Sequence, residues 1–274
     1  MLASRRRRFC NTLPLLAGLS LALAASPAVA QVTAGHTLNY DAGLDTSPGN
    51  GVWEELNGVT THDWTLGANV LHNAAPATVL TGIAGSYTFP TSGTDNAADK
   101  GATATYEGLT GNPTDSSASF ELWFKPATLA GGNQVLWETG GGVSGASFTI
   151  RNGDTLRVEL QEAAAAGREL VIETPLTGLS GEFISALATY DRNNPGTTDT
   201  LRLYINGQEV GASPDTDTDI NDWAGANNSG IGGRNGDTGG TGGSLNLNTF
   251  NTFDGEIAIH RFYESTLTTA EVGA

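Results

Sequence analysis

Cysteine is nearly absent from this 274-residue chain, with Cys10 standing alone. A disulfide framework is therefore excluded, and the fold must hold together through its own core. Basic charge is scarce too, with 13 Lys and Arg against 29 Asp and Glu. Such a surface repels phosphate backbones and anionic membranes, which argues against nucleic acid as a partner. Apolar runs are short. The longest, residues 13–25, contains Pro14, Gly18 and Ser20 and is too short to span a bilayer stably. Helical periodicity is scarce as well. His36, His62, His72 and His260 show no metalloprotease spacing, and there is no Gly-x-Ser-x-Gly elbow for a nucleophilic serine.

The N-terminus carries a charged head, Ser4 with Arg5–Arg8, then the apolar run, then the small-residue pattern Ala28-Val29-Ala30. This reads as a secretory signal peptide over residues 1–30. The arginine run followed by Phe9 also fits a twin-arginine signal, so both export routes stay open. Cleavage removes Cys10, which precedes the apolar run and does not mark a lipid-attachment point. The expected product is one domain, residues 31–274, secreted or at the cell surface, with the periplasm as a further compartment. Without Arg5–Arg8 the basic count falls to nine against 29 acids, a net charge of −20. A chain of this length buries most of its unfolded surface and needs no covalent staple.

Glycine supplies 37 residues, close to twice the ordinary usage of about 7%. With abundant Thr, Asn, Asp and Ser, it punctuates short strands with turns. Residues 119–125, ending at Pro126, alternate as a half-buried strand does. Residues 134–138 make another strand. Residues 147–151 and 155–160 flank Asn152-Gly153-Asp154 as a hairpin, and residues 201–205 turn at Asn206-Gly207 into 208–210. Residues 253–263 form the last long strand. Ala163–Ala166 favours a helical turn, but it lies between two strand-like runs and reads as a hairpin end.

Several of these segments resemble one family in order and spacing. Residues 119–126 resemble its strand ending in Trp-x-Lys-Pro. Ala188-Thr189-Tyr190-Asp191 with residues 201–207 resembles its central hairpin, and Ile231-Gly232-Gly233 the short strand after it. Phe253-Asp254-Gly255-Glu256-Ile257, Arg261-Phe262-Tyr263, Leu267 and Glu271 resemble its closing strand and terminal Leu-x-x-x-Glu. The family is the laminin-G-like (LamG) jelly roll of the concanavalin A-like lectin and glucanase superfamily. Residues 36–53 are similar to the first strand of its exported bacterial members. The resemblance implies an all-β fold, a two-sheet antiparallel jelly-roll sandwich. It leaves function open, since this fold hosts lectins, glycosidases and adhesion modules. Ala258-Ile259 stands where many members carry Asp-Glu, which puts a family calcium site there in doubt.

Glucanases of the superfamily carry Glu-x-Asp-x-x-Glu, which places nucleophile and acid on one strand face. None of the 14 glutamates here has Asp two positions on, so no catalytic residues are assigned. The candidate metal ligands are Asp215, Asp217, Asp219 and Asp222, alternating carboxylates suited to Ca2+. They do not form an EF-hand, and an acidic solvated loop is the competing reading. Asp191 and Asp199 are secondary candidates. Beside the cluster, Trp223 either stacks on a sugar ring or folds inward, and Asn221, Asn227, Asn228 and Arg234 offer hydrogen bonds. Trp123 and Trp137 are expected in the core, while Trp53 and Trp64 stay open. The expected function is a binding module for extracellular glycans or surface proteins, assisted by calcium. The alternatives are a structural or adhesive envelope protein and a glycoside-active enzyme.

Overall fold

Alternation along a strand sends successive side chains to opposite faces, and the apolar sets noted above meet between two sheets. The computed structural model describes residues 32, 34–59, 62–90, 98–99, 117–129, 132–140, 144–162, 169–192, 199–214, 220, 223, 229–234, 247 and 249–273. The signal-peptide region and Ala163–Ala166 lie outside the described residues. In chain order the strands are β1 (Leu38–Asp41), β2 (Val52–Trp53), β3 (Trp64–Leu66), β4 (Leu71–Asn73), β5 (Ser86–Phe89) and β6 (Ala98–Asp99). There follow β7 (Ala118–Pro126), β8 (Gln134–Gly140), β9 (Gly145–Arg151), β10 (Thr155–Gln161), β11 (Glu169–Pro175) and β12 (Ile184–Asp191). The last are β13 (Thr200–Ile205), β14 (Gln208–Pro214), β15 (Gly230–Ile231), β16 (Asn251–Thr252) and β17 (Gly255–Tyr263), then the short helix α1 (Thr269–Val272).

One sheet has eight strands in the order β14-β13-β12-β7-β17-β5-β4, with β1 also on β17. The other has nine, β11-β10-β9-β8-β15-β6-β3-β2, with β16 on β8. Every described pairing is antiparallel except β16 with β8. This is the jelly-roll sandwich that the family resemblance implies. Between the sheets lies one large core. It includes Tyr40, Phe120, Leu122, Phe124, Trp137, Phe148, Leu203 and Phe262, with Trp53 and Trp64 also fully buried. Among the described residues no helix is long and apolar enough to cross a membrane.

Both expected hairpins form. Asn206 (φ 50°) and Gly207 (φ 77°) occupy the left-handed region together, as a type I′ turn requires. The Asn206 side chain accepts a hydrogen bond from the Ser185 amide at 3.0 Å and so ties the turn to β12. The Ile231-Gly232-Gly233 signature has a packing cause. Gly232 has φ 69°, and a Cβ there would lie 2.0 Å from the Phe89 ring. The terminal signature divides its work as well. Leu267 is buried against Tyr263 and Leu187, and Glu271 closes a capping box with Thr268 on α1.

The eight-stranded sheet is covered on its outer face too, contrary to a half-buried reading of residues 119–125. In β7 every residue but Lys125 is buried. Trp123 is buried as expected, but on the outer side, in a second apolar cluster with Phe183, Ala258 and Ile259 under Leu80 and Ile83. A bulge between Ile257 and Ile259 turns Ala258 and Ile259 to this side. The positions where many family members carry acids are therefore plugged with apolar side chains.

Candidate functional site

The two outer faces differ in chemistry. On the eight-stranded sheet the buried carboxylate of Glu121 is fully partnered. Trp123 Nε1 donates to one oxygen at 2.6 Å, and the Tyr263 hydroxyl (2.9 Å) and Arg261 Nη1 (3.3 Å) donate to the other. Arg261 is further held by Asn39 at 2.9 Å, with Asp41 Oδ2 at 3.8 Å. Nothing in this network is left over for a ligand.

At one end of β5, β7 and β17 lies a cleft of about 310 Å³, lined in part by Phe89, Pro90, Lys125, Asp254 and Glu256. Its Lys125 and Glu256 charges are satisfied internally. Lys125 Nζ sits 2.5 Å from Glu256 Oε1, while Ser86 (2.5 Å) and Asn73 (2.9 Å) donate to Oε2. Burial raises the Glu256 carboxyl, but these donors outweigh it and hold the group below its ordinary range.

The nine-stranded sheet is different. In β9 and β10, Phe148, Ile150, Leu156, Val158 and Leu160 point into the core. The intervening positions therefore face outward, and register aligns them across strands. Glu138 on β8 stands opposite Ser147 on β9, which stands opposite Glu159 on β10. Adjacent strands are about 4.8 Å apart, so Glu138 and Glu159 sit about 10 Å apart with Ser147 between them. In the neighbouring row Thr149 faces Arg157, which faces Glu173 on β11.

Two arginines converge on one oxygen of Glu159. Arg157 Nε donates to Oε2 at 2.9 Å, and Arg151 Nη2 lies 3.6 Å from the same atom. Arg157 Nη1 donates to Glu173 Oε1 at 3.1 Å, and Arg151 packs over the Phe250 ring. Glu159 Oε1 and Ser147 Oγ, both fully buried, have no hydrogen-bond partner. Burial pushes the Glu159 carboxyl above its usual range against the pull of both arginines. Burial, then repulsion from Arg157, lowers Arg151. Arg157 rises despite its burial, because Glu159 and Glu173 favour its charged form. Trp53 Nε1 and Gln134 Nε2 are also unpartnered. Trp53 belongs to the inner core, and Gln134 stands opposite the inward Ile150.

The residues singled out in sequence fare unevenly. Trp223 is not a surface platform. It is 2% exposed, edge-on to Phe120 at 5.1 Å and tilted on Phe262 at 6.0 Å, so its ring area is spent in the core. Arg234 follows β15 and is half-buried. Asp215, Asp217, Asp219, Asp222, Asn221, Asn227 and Asn228 lie outside the described residues. Asp191 ends β12 and is half-buried. Asp199 is buried, with Oδ2 2.5 Å from the Tyr190 hydroxyl and accepting the Ile220 amide at 3.1 Å. His260 is fully buried, stacked on Tyr40 at 5.6 Å and near Trp137 at 5.3 Å. Among the described residues no group of three or more His, Cys, Asp or Glu is placed to hold a metal.

The row of Glu138, Ser147 and Glu159 was missed in sequence. Its one signal is the polar alternation Arg157-x-Glu159 between core leucines and valines, and which strand faces it is known only once the register is known.

Residues 95–273 match a family model described as the concanavalin A-like lectin/glucanases superfamily. No curated protein matches the chain. Among solved structures, the binding domain of botulinum neurotoxin serotype G superposes with a TM-score of 0.58 at 15% identity, over 87% of this chain and 50% of that one. The binding domain of botulinum neurotoxin DC in complex with SialylT gives 0.58 at 12%, over 89% and 51%. A botulinum neurotoxin type C structure, from work tying cell entry to two ganglioside molecules, gives 0.53 at 12%, over 87% and 50%. At these identities the likeness is one of fold, and the chain spans about half the length of each.

Proposed function

The chain belongs to the concanavalin A-like lectin/glucanases superfamily, and from that premise we propose that it is an exported binding module for glycans, without catalytic residues, secreted or held at the cell surface. The observation that carries the reading is the outer face of the nine-stranded sheet, where Ser147 Oγ and Glu159 Oε1 are buried without partners. Proteins seldom leave such atoms orphaned, and a hydroxyl-rich ligand supplies what they lack. The SialylT and ganglioside associations of two fold neighbours are precedents for glycans as the ligand class.

A glycan array probed with the purified protein tests this, and binding to at least one glycan is the expected result. An empty array moves the chain to a structural or adhesive envelope role. Release of reducing sugar from a bound glycan makes it a glycoside-active enzyme instead.

Calcium is part of the same proposal, held by Asp215, Asp217, Asp219 and Asp222. Support comes from the alternating carboxylates around Ile220, whose amide is fixed by Asp199. Calcium then raises the melting temperature by mass action, and no shift at millimolar calcium removes the metal from the proposal.

A further inference from the structure

We infer that the cleft at the end of β5, β7 and β17 is a docking point for a protein partner, which sets a lysine side chain on Asp254 and apolar side chains on the rim beside it. This goes beyond the glycan reading and does not depend on it. Charge decides the sign of the ligand. Lys125 Nζ lies 2.5 Å from Glu256 Oε1, donates to the Ala77 carbonyl at 3.2 Å and sits 5.0 Å over the Phe183 ring. It keeps one N–H, but its charge is matched by Glu256, whose two oxygens are both occupied. Asp254 is half-buried, and among the described residues its carboxylate has no hydrogen-bond or ion-pair partner. Lys125, Glu256 and Asp254 together give the cleft a net charge of −1. The chain's 29 acids against 13 bases extend the same sign outward, so a cation is the favoured guest.

The backbone holds that carboxylate in place. The Asp254 amide donates to Gln134 Oε1 at 2.8 Å, and its carbonyl accepts from the Ala127 amide at 2.9 Å. Phe89, Pro90 and Ala127 supply apolar wall. A lysine suits both features, since it lays its methylene stem on apolar surface and brings its ammonium to a polar group. At about 310 Å³ the cleft lies at the small end of ligand pockets and takes one side chain rather than an extended ligand. The rim points to a protein as the bearer of that lysine. Register sets Leu71 on β4, the last strand of its sheet, opposite the cleft residue Thr88. Leu71 is 65% exposed, and Val79, two residues beyond the Ala77 carbonyl that Lys125 holds, is 85% exposed. Exposed apolar side chains beside a pocket mark a protein-docking surface. A neutral sugar offers neither a charge for Asp254 nor apolar area for Leu71 and Val79.

The test uses an acetylated, amidated leucine–lysine–leucine peptide and its counterpart with norleucine in place of lysine. Each is titrated to millimolar concentration while the amide resonances of Leu71, Thr88 and Gly255 are followed by NMR. The lysine peptide is expected to shift them and to bind at least about tenfold more tightly than the norleucine one, as one charge-assisted hydrogen bond predicts. Asp254→Asn is expected to erase that preference. The variant keeps both backbone hydrogen bonds of Asp254 and removes a carboxylate with no protein partner, so its melt should match that of the native protein. Equal affinity for the two peptides, a preference that survives Asp254→Asn, or no shift with either peptide overturns the inference. If methyl glucoside shifts these resonances and the peptides do not, the cleft is a sugar site, and the inference falls while the glycan reading stands. An empty glycan array removes that reading and leaves the lysine site untouched.

Discussion

Folding strips the Ser147 hydroxyl of water and leaves it without a protein partner, a deficit of about 1–3 kcal/mol. Ser147→Ala should therefore stabilise the protein by about 1 kcal/mol, a rise of about 2–4 °C in Tm for a domain this size. Calorimetry reads this directly, and a fall in Tm would mean that the hydroxyl has a strong partner after all, such as a fixed water. At the residue scale the sequence was a poor guide to the site. Trp223 beside acidic neighbours looks like a sugar platform, yet its ring packs on Phe120 and Phe262. Nothing local separates an aromatic that faces out of a loop from one that pins it. Glu159 was invisible for the opposite reason, since one glutamate on one strand means nothing until β9 and β11 bring Ser147 and Glu173 beside it.

At the scale of elements, turn chemistry and alternation made most of the strands legible. Asn206-Gly207 has the backbone a two-residue hairpin requires, and the last long strand appears where expected, beginning two residues later at Gly255. What alternation misses is phase. The bulge after Ile257 puts Ala258 and Ile259 on the same side, so His260 and Phe262 face inward where strict alternation would place them outside. Glu256 shows how elements are tied at that end, since it collects donors from β4, β5 and β7. Its folded pKa lies below the ordinary 4.5, so the unfolded chain takes up the proton first. The stabilisation is complete above about pH 4.5 and is lost as pH falls through the lower folded value. Urea melts should show Glu256→Gln less stable than the native sequence at pH 7, with the gap closing towards pH 3. A gap independent of pH would mean that packing, not ionisation, holds this end together.

For the whole molecule, strands, Gly-rich turns and apolar alternation made an all-β chain readable, and the resemblance of its ordered motifs to one family supplied the sandwich. The position of the site was not, because it depends on which face is left polar. One sheet is plugged on its outside by Trp123, Phe183 and Ile259, and the other carries glutamates, arginines and orphaned atoms. The account therefore turns on whether that face binds sugar. The most direct measurement is calorimetric titration of the strongest neutral glycan from an array into the native protein and into Ser147→Ala, both checked for a cooperative melt. The account predicts binding to the native protein and about tenfold weaker binding to the more stable variant. Equal affinity for the two, or heat from neither, would contradict it.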